Sequence, residues 1–584
     1  MARAQHKNLL SRNQKLFRME SVYPIDANNL IVDEGISRLF IYMRTGGRQI
    51  SQTDKTVFTS DSVDAETPKA IVRTAIEANP EKLIGMVDPE RAALITAWVE
   101  ANFALMSRKG KSGKGEYRVS GLRPLHFGVI KLFNPQVKRQ DRYLSDFFYN
   151  AIKDDPELAT NTDSLFKQFF GLGVRAHGDN DYRIDEPGLS HLASNKNLDI
   201  ELLFLLRLLE PFETDIYGKR PQDQVPIFSF LCPEQIDLLR QDLKLLFLYK
   251  SHIPRRELIN YMTTLMVFHA ALYFFQTVRV ANYMVREGKL PSIRGKIPKP
   301  GEARTHAPFD LDIFCDLTSG HDDVVDELAK SRFVAHFKEI EQYFKSAYFM
   351  KKLEDFAQPS LSHEQRQQKG RQYIELLLKG FGHSQMRDGH FNRDIQEIRE
   401  RGRDEETNDP NPEVERIIDI ANQRGLDKLQ TFVEILYHFQ YGTLREQHRK
   451  LLAGLCGTDL DRGFLAGRGR SRRKYVLGNE LLEVLIQLAV LDRRTDGSWQ
   501  SRPIPIQEFV EWMRGRYGLL IDTLGPGQKD EERTNRALAS NLQALKTRLR
   551  QLGFFTDLSD ASNSQAIIPR FQIAGSQDGL PKAA

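Results

Sequence analysis

The sequence predicts a mainly α, multidomain protein, with a helical core, a mixed α/β N-terminal region and a C-terminal winged-helix-like domain. Its 584 residues exceed what one hydrophobic core supports and correspond to about three or four domains. The composition, 40% hydrophobic and 28% charged, is that of a globular chain. From about residue 136 onward, apolar residues recur at helical spacing. Glycine, proline and charge-rich stretches divide the chain into four regions.

The first region, 1–135, mixes the two types of secondary structure. The run LFIYMRT at Leu39–Thr45 is rich in β-prone residues and predicts a strand, whereas Pro89–Met106 predicts a helix that leads into the loop SRKGKSGKGEYR. The basic N-terminus lacks the apolar stretch and the small-residue cleavage site of a secretory signal. We therefore expect a cytoplasmic protein.

The second region, 136–289, is predicted to be a helical bundle. Its helices include YLSDFFYNAI, LDIELLFLLRLLE and PEQIDLLRQDLKLLFLYK. The segment Leu258–Val280 is long enough to span a membrane, but it carries Asn, Thr, His, Gln and Arg side chains. A buried helix at the centre of a large domain is favoured over a membrane span. His269 within this segment is interpreted as a hydrogen-bonded core residue.

The third region, 290–460, is predicted to be a second helical region. It begins with a Pro- and Lys-rich connector and the short strand-like run DLDIFCDL. Helices are predicted over Asp322–Phe356, Gln365–Lys379 and Val414–Arg449. The hydrophilic segment Glu397–Arg416 is predicted to form a loop for much of its length.

The fourth region, 461–584, combines a basic loop with a winged-helix-like domain. Asn479 is predicted to cap a first helix, and Pro505 to occupy the first turn of a second helix, PIQEFVEWMRGRY. A third helix is predicted from Glu532 to Leu552, with Gly553 at its end. The runs FFTDL and IIPRFQI are predicted to form a hairpin wing.

The predicted third helix has two different faces. Five leucines lie within roughly 80° of arc and are expected to face the core, namely Leu538, Leu542, Leu545, Leu549 and Leu552. The opposite face carries basic and polar residues, and no acid occurs from Arg533 to Arg550.

Helix, helix, helix and wing is the order that lays the third helix along a DNA major groove. The residues expected to contact DNA are Arg533, Arg536, Gln543, Thr547 and Arg550. A protein-docking module is the alternative.

A second basic patch lies in the loop GFLAGRGRSRRKY. Its cations stand among glycines without an acid, and they are Arg468, Arg470, Arg472, Arg473 and Lys474. Guanidinium groups pair bidentately with phosphate oxygens, and each neutralised phosphate releases condensed counterions. We expect these residues to contact a phosphate backbone, with a basic linker that binds nothing as the alternative.

Composition and motifs exclude several functional classes. The net charge is only +5, so any nucleic-acid surface must be a local patch. Three separated cysteines, Cys232, Cys315 and Cys456, form no CxxC pair, which argues against a structural zinc site or a disulfide framework. The chain contains no GxxxxGK[ST], GxGxxG, GxSxG or HExxH motif. No cofactor is expected, and the sequence favours a protein without its own catalytic chemistry.

Three segments combine carboxylates with histidines, as a metal or catalytic site would. The first, Asp310–Asp323, contains Asp310, Asp312, Asp316, His321, Asp322 and Asp323 and could supply oxygen ligands for Mg²⁺ in a nuclease. No accompanying PD…ExK arrangement is recognisable, so we interpret these acids as structural and as caps of the next helix. The segment His177–Glu186 has the composition of a turn. In Gly380–Asp394, His383, Asp388, His390 and Asp394 are close in sequence, but Gly389 argues against a continuous helix.

The helical run Tyr249–Phe275, the strand Phe309–Leu317 with its acidic turn, and the helix-rich end RLRQLGFFTDLSD resemble bacterial defence-island proteins. They are similar to accessory subunits of multigene antiphage systems, such as the methylation-associated defence system and phosphorothioation-dependent restriction. The resemblance covers residues 200–570 in general character, and it transfers no site residue. It implies partner subunits with ATPase, methyltransferase or nuclease activity, while this chain scaffolds the assembly or engages DNA.

Two alternatives to this function remain at the level of sequence. In the first, the chain is a metal-dependent nuclease subunit that uses Asp310–Asp323 and to which the basic C-terminal domain delivers DNA. In the second, the chain is a transcriptional regulator. No membrane partner is expected.

Overall fold

The computed structural model confirms a mainly α, multidomain protein. It describes residues 9–48, 68–78, 80–81, 85, 88–108, 117–124, 139–165, 174–176, 182–184, 204–205, 207–208, 224–291, 311–368, 370–382, 385–404, 407–467, 472–525, 531–555 and 566–573. The helices are α1 Val32–Thr45, α2 Pro68–Ala78, α3 Pro89–Asn102, α4 Leu144–Lys153, α5 Pro156–Leu165, α6 Pro233–Phe247, α7 Arg255–Glu287, α8 Asp323–Ala357, α9 His363–Gln367, α10 Gly370–Phe381, α11 Gln385–Arg401, α12 Pro412–Gln423, α13 Lys428–Leu455, α14 Asn479–Ala489, α15 Ile506–Tyr517 and α16 Glu532–Gln551.

The strands are short and pair only two by two within the described ranges. They are β1 Ala104–Arg108, β2 Tyr117–Leu122, β3 Val174–Ala176, β4 Tyr182–Ile184, β5 Ile313–Phe314, β6 Leu465–Ala466, β7 Lys474–Tyr475, β8 Leu491–Arg493, β9 Trp499–Ser501, β10 Ile504–Pro505, β11 Leu519–Leu520 and β12 Ala566–Ile567. The antiparallel pairs are β1–β2, β3–β4, β6–β7, β8–β9 and β10–β12. The pair β11–β5 is parallel.

The chain forms two compact units. Unit 1 contains Met1–Asn29, Phe228–His252 and Thr264–Ala584, and unit 2 contains Leu30–Ile227 and Ile253–Thr263. The four regions inferred from composition and punctuation remain a prediction.

In unit 2, the strand predicted at Leu39–Thr45 is wrong, because these residues complete α1. Ile36, Leu39 and Phe40 are fully buried and share one face at helical spacing, so packing outweighs the β-propensity of the individual residues. The helix ends at Gly46, whose φ of 64° is left-handed. The helix predicted to reach Met106 ends at Asn102 as α3, and the chain then enters β1.

The prediction of a core helix is confirmed by α7, whose residues from Thr264 onward belong to unit 1. Of the part of the chain that the structure describes, only this helix is long and apolar enough to cross a membrane. However, 94% of its most apolar window is buried inside the protein. Its polar side chains find protein partners; Asn282, for example, donates to the carbonyl oxygen of Glu339 on α8 at 2.9 Å.

Two helices predicted to be continuous are interrupted. The predicted helix Val414–Arg449 is divided into α12 and α13 at Gly425, which adopts φ 68°, and Asp427 then starts α13 with a capping box completed by Gln430. The predicted helix Gln365–Lys379 is divided into α9 and α10. At Gly370 a Cβ atom would lie 3.0 Å from the Cβ of Ser229, so this close approach favours glycine.

The C-terminal part of unit 1 places the three predicted helices at α14, α15 and α16. Two caps differ from the prediction: Asn479 is the first helical residue of α14 rather than its cap, and Pro505 is the cap of α15 rather than part of its first turn. Phe555 forms an antiparallel bridge with Ile567, as a hairpin wing requires, but the intervening run 556–565 lies outside the described residues. The winged helix therefore stays a prediction.

The strand β5 connects this C-terminal part to α8. Leu519 and Leu520 of β11 pair with Ile313 and Phe314 of β5. Side chains from these two strands, α8 and α16 form one hydrophobic cluster, made of Phe314, Val325, Ala329, Leu520, Ala537 and Leu538. Burial of this apolar surface fixes α16 against α8 and leaves the opposite side of α16 exposed.

Candidate nucleic-acid interface

The predicted leucine face of α16 is largely confirmed. Leu538, Leu545 and Leu549 are buried, and Leu542 is half-buried. The helix ends as predicted before Gly553, which adopts φ 79°. One side of α16 therefore belongs to the core of unit 1.

Asn541 lies on the same buried face and was missed in the sequence. Its side-chain amide donates to the carbonyl oxygens of Cys315 and Ile521, both at 2.9 Å, and its Oδ1 accepts from the backbone N–H of Leu317 at 2.8 Å. These three bonds attach α16 to the backbone beside β5 and β11. An asparagine three residues after one core leucine and four before the next was the available signal.

The opposite face of α16 is exposed as predicted. Its exposed side chains include those of Arg533, Arg536, Ser540, Gln543 and Thr547. Arg536 pairs with Glu532 one turn away, and both side chains are about four-fifths exposed, so the pair is weak and can open. Arg550, also predicted to contact DNA, is half-buried, with its guanidinium 5.2 Å from the centre of the Phe555 ring.

Arg548 has a structural role. Its guanidinium donates to the carbonyl oxygen of Leu477, which precedes α14, at 2.5 Å. Burial lowers the pKa of Arg548, although the nearby Asp316 opposes this shift. Arg548 therefore holds the start of α14 against α16.

The predicted basic loop divides into residues with different surroundings. Arg468 and Arg470 lie outside the described residues, and Arg472 is exposed. The side chain of Arg473 is 9% exposed and donates to the carbonyl oxygen of Arg449 at 3.3 Å. In this loop, the described cation on the surface is Arg472.

Lys474 belongs to an ion cluster. Its ammonium lies 2.5 Å from Asp316 Oδ2 and 2.6 Å from Asp326 Oδ1. Burial by itself would lower the pKa of Lys474, because it disfavours the charged ammonium. The hydrogen bonds to the two carboxylates outweigh burial and raise this pKa above its ordinary value. Because two carboxylates inside unit 1 already match its charge, Lys474 is not among the phosphate contacts proposed below.

The acids of the Asp310–Asp323 segment have separate structural partners. Asp316 is buried and accepts hydrogen bonds from the backbone N–H groups of Thr318 and Gly320 as well as from Lys474. Asp312 pairs with Arg332 at 2.8 Å. Asp322 caps α8, as predicted. Asp310 lies outside the described residues, and among those described no group of three metal-ligating side chains occurs.

The other two acidic segments also gain no site from the described residues. In Gly380–Asp394, α11 runs continuously through Gly389, contrary to the prediction, because Gly389 is exposed and imposes no turn. His390 lies 3.5 Å from Asp394 on the same helix, and His383 lies outside the described residues. Of His177–Glu186, only Tyr182–Ile184 is described, as strand β4.

His269 is a hydrogen-bonded core residue, as predicted. Its Nε2 lies 2.9 Å from Asp242 Oδ2 and its Nδ1 lies 2.8 Å from Gln235 Nε2. Asp242 also pairs with Arg516 and accepts from the Tyr517 hydroxyl at 2.6 Å. Burial lowers the pKa of His269, and its bond to Asp242 opposes this shift. The network joins α6, α7 and α15 inside unit 1.

Comparison with known proteins identifies a family for the chain. The model of the family described as methylation-associated defense system protein MAD7 matches residues 12–571. No curated protein and no solved structure matches the chain. The match covers almost all of the chain, including the predicted DNA-contacting residues.

Proposed function

The chain belongs to the MAD7 family of methylation-associated defense system proteins, and we propose that it serves such a system as a non-catalytic subunit that engages DNA. As a family member, it is a component of a methylation-associated antiphage defence system, and other subunits of that system are its partners.

The exposed face of α16 carries the proposal. This face presents two arginines and two neutral hydrogen-bonding side chains in one row, namely Arg533, Arg536, Gln543 and Thr547. After Glu532, α16 contains no acid. Arginine is suited to phosphate oxygens and to guanine edges, and glutamine to adenine edges. Asn541 and the buried leucines hold the opposite side of the helix rigidly, as a docking surface requires.

Arg472 supplies an additional cation. It is exposed and directly follows the basic segment that contains Arg468 and Arg470. We include these three arginines in the proposed phosphate contacts. We propose Arg550 only as a flanking contact, because its side chain is half-buried, with the guanidinium beside the Phe555 ring.

We further propose that the chemistry of the system resides in partner subunits that carry ATPase, methyltransferase or nuclease activity. The described acidic side chains favour this division, because Asp312, Asp316 and Asp322 each have a structural partner. A cytoplasmic location is part of the proposal. Three buried cysteines with free thiols support it, since such thiols fit a reducing compartment.

The test measures duplex DNA binding by the full chain over a range of salt concentrations. The full chain is used because β11 and Asn541 depend on β5, which lies far upstream in sequence. Replacing Arg533 and Arg536 with Ala should weaken binding and lower the slope of log affinity against log salt by about two, at about 0.9 per lost phosphate contact. Thermal stability should change by less than about 0.5 kcal/mol, since both side chains are exposed.

A matched variant replaces Arg393 and Arg416, two exposed arginines on α11 and α12, with Ala. This change removes the same charge from unit 1 and should leave the salt slope as it is in the wild type. Equal losses of DNA affinity in both variants would mean that DNA binding depends only on the net charge of the protein. Full affinity after loss of Arg533 and Arg536 would refute DNA docking and point to a protein partner for α16.

A further inference from the structure

A cavity of about 310 Å³ lies between α8 and α13 in unit 1. Its wall combines aromatic rings with several cations. It includes Phe337 and Lys338 of α8, Tyr441, Gly442 and Arg449 of α13, and Arg473. Its volume is near the lower end for small-molecule sites, and so suits a ligand of modest size.

Gly442 creates part of this space. It lies in the interior of α13, where glycine is less favourable than alanine because it loses more conformational freedom on folding. A Cβ atom at this position would meet no atom within 4 Å. Neither backbone strain nor close packing therefore requires the glycine, and its effect is to leave the cavity open beside Tyr441.

Arg473 is the polar group that points to a ligand. Its side chain is nine-tenths buried and lines the cavity. One terminal nitrogen donates to the carbonyl oxygen of Arg449, but its buried Nε has no hydrogen-bond partner among the residues that the structure describes. Burial and the nearby Arg449 guanidinium both lower the pKa of Arg473. A buried guanidinium whose hydrogen-bonding groups are not all paired is stabilised when an anion binds beside it.

The charges around the cavity favour an anion. The two acids in its wall already have basic partners, since Glu341 pairs with Arg445 at 3.0 Å and Glu446 with Arg449 at 2.9 Å. Arg473 and Lys338 remain without a carboxylate partner within the described part of the chain. The wall therefore carries an excess of positive charge.

The aromatic residues favour a ligand that also has a planar, apolar part. The rings of Phe337 and Tyr441 come from the two facing helices, and the Arg445 guanidinium lies 5.7 Å from the centre of each ring. Val334 adds an apolar side chain that is 44% exposed. An anion with an attached heterocyclic base would use both the charged and the aromatic wall.

We propose that this cavity binds a nucleoside phosphate, with the phosphate held by Arg473 and the base beside Phe337 and Tyr441. The ligand is a free nucleotide or the terminal nucleotide of a DNA strand, which present the same chemistry. The site involves none of the exposed residues of α16, so nucleotide binding in the cavity can be tested independently of DNA docking by that helix.

The test is isothermal titration calorimetry on the full chain with AMP, GMP, CMP and UMP, and with adenosine and inorganic phosphate. At least one monophosphate should bind at least about tenfold more tightly than either adenosine or phosphate, because only the complete ligand uses both walls. A 5′-phosphorylated trinucleotide distinguishes the sources. Tighter binding of the trinucleotide would assign the site to a strand end, and tighter binding of the monophosphate would assign it to free nucleotide.

Four variants localise the binding. Gly442→Phe should fill the cavity and lower the affinity at least tenfold, while Gly389→Phe, at an exposed helical glycine of α11 with equally open surroundings, should leave it unchanged. Arg473→Gln should lower the affinity of the monophosphate about tenfold and leave that of adenosine unchanged. Replacement of Arg533 and Arg536 with Ala should not alter nucleotide binding.

Three outcomes would overturn the proposal. They are the lack of saturable binding by any monophosphate or by the trinucleotide, equal affinities for phosphate and nucleotide, and wild-type affinity in Gly442→Phe. If DNA binding by α16 fails while nucleotide binding survives, only the proposed DNA-engaging function is lost.

Discussion

At the scale of single residues, Lys474 and Asp316 form an ion pair whose carboxylate is completely buried. Replacing Lys474 with Met should lower the free energy of unfolding by about 3–5 kcal/mol, because Asp316 would keep a buried charge without its cationic partner. Urea denaturation followed by circular dichroism measures this loss. The double variant with Asp316→Asn should lose less than the sum of the single losses.

The control for this prediction is Lys330→Met. Lys330 pairs with Asp326 one turn away on α8, with its side chain 32% exposed, so its loss should cost less than about 1 kcal/mol. If Lys474→Met costs no more than Lys330→Met, the ion cluster has no special structural weight, and Lys474 returns to the set of candidate phosphate contacts.

At the scale of elements, Asn541 attaches α16 to the backbone that follows β5 and β11. Replacing Asn541 with Leu keeps the volume of the side chain but leaves the carbonyl oxygens of Cys315 and Ile521 and the N–H of Leu317 without this partner. We expect a loss of about 3 kcal/mol or more, since each buried backbone group left unpaired costs about 1–3 kcal/mol. The midpoint of thermal unfolding measures this loss.

Ser540→Ala is the matched control on the same helix. Ser540 is the exposed neighbour of Asn541 in sequence, and its replacement should change stability by less than about 0.5 kcal/mol. If Asn541→Leu is as stable as Ser540→Ala, α16 is held by its leucines alone. In that case Leu545→Ala, with an expected cost of about 2–5 kcal/mol, becomes the variant that detaches the helix.

At the scale of the whole molecule, three buried histidines in unit 1 make stability depend on pH. Burial lowers the pKa of His336 to about 3 and that of His448 to about 4, and it lowers the pKa of His269 as well. The unfolded chain therefore binds more protons than the folded chain below about pH 6.5. The free energy of unfolding should have its full value above this pH. It should fall as the pH drops toward 4, by up to about 1.4 kcal/mol per pH unit for each histidine.

Unfolding by urea between pH 4 and 7 tests this dependence. His448→Phe keeps the aromatic packing against Phe344, whose ring lies 4.6 Å away, and should reduce the slope by about one proton. Phe17→Leu removes a neighbouring ring 5.4 Å from His448 without removing the titrating group, so it should lower stability at every pH and keep the slope. An unchanged slope in His448→Phe would show that this histidine does not control the acid transition.

Local sequence patterns were sufficient to predict an element where the spacing of its apolar residues defines one buried face. The leucine face of α16, the apolar run of α7 and the acid that caps α8 all follow from neighbouring residues, and the structure confirms the elements that they predicted. The resemblance to defence proteins likewise came from runs of sequence and is confirmed by the family match.

Tertiary structure decided what depends on residues distant in the chain. Whether a cation is a surface group or part of an ion cluster depends on the carboxylates that fold against it, and Lys474 meets Asp316 across 158 positions of sequence. Asn541 becomes structural only because the residues that follow β5 and β11 present backbone groups to it, and the α8–α13 cavity exists only where two helices face each other. Periodicity along one segment encodes which face is buried, but the partner of that face, and hence the free energy of each polar group on it, is set by long-range packing.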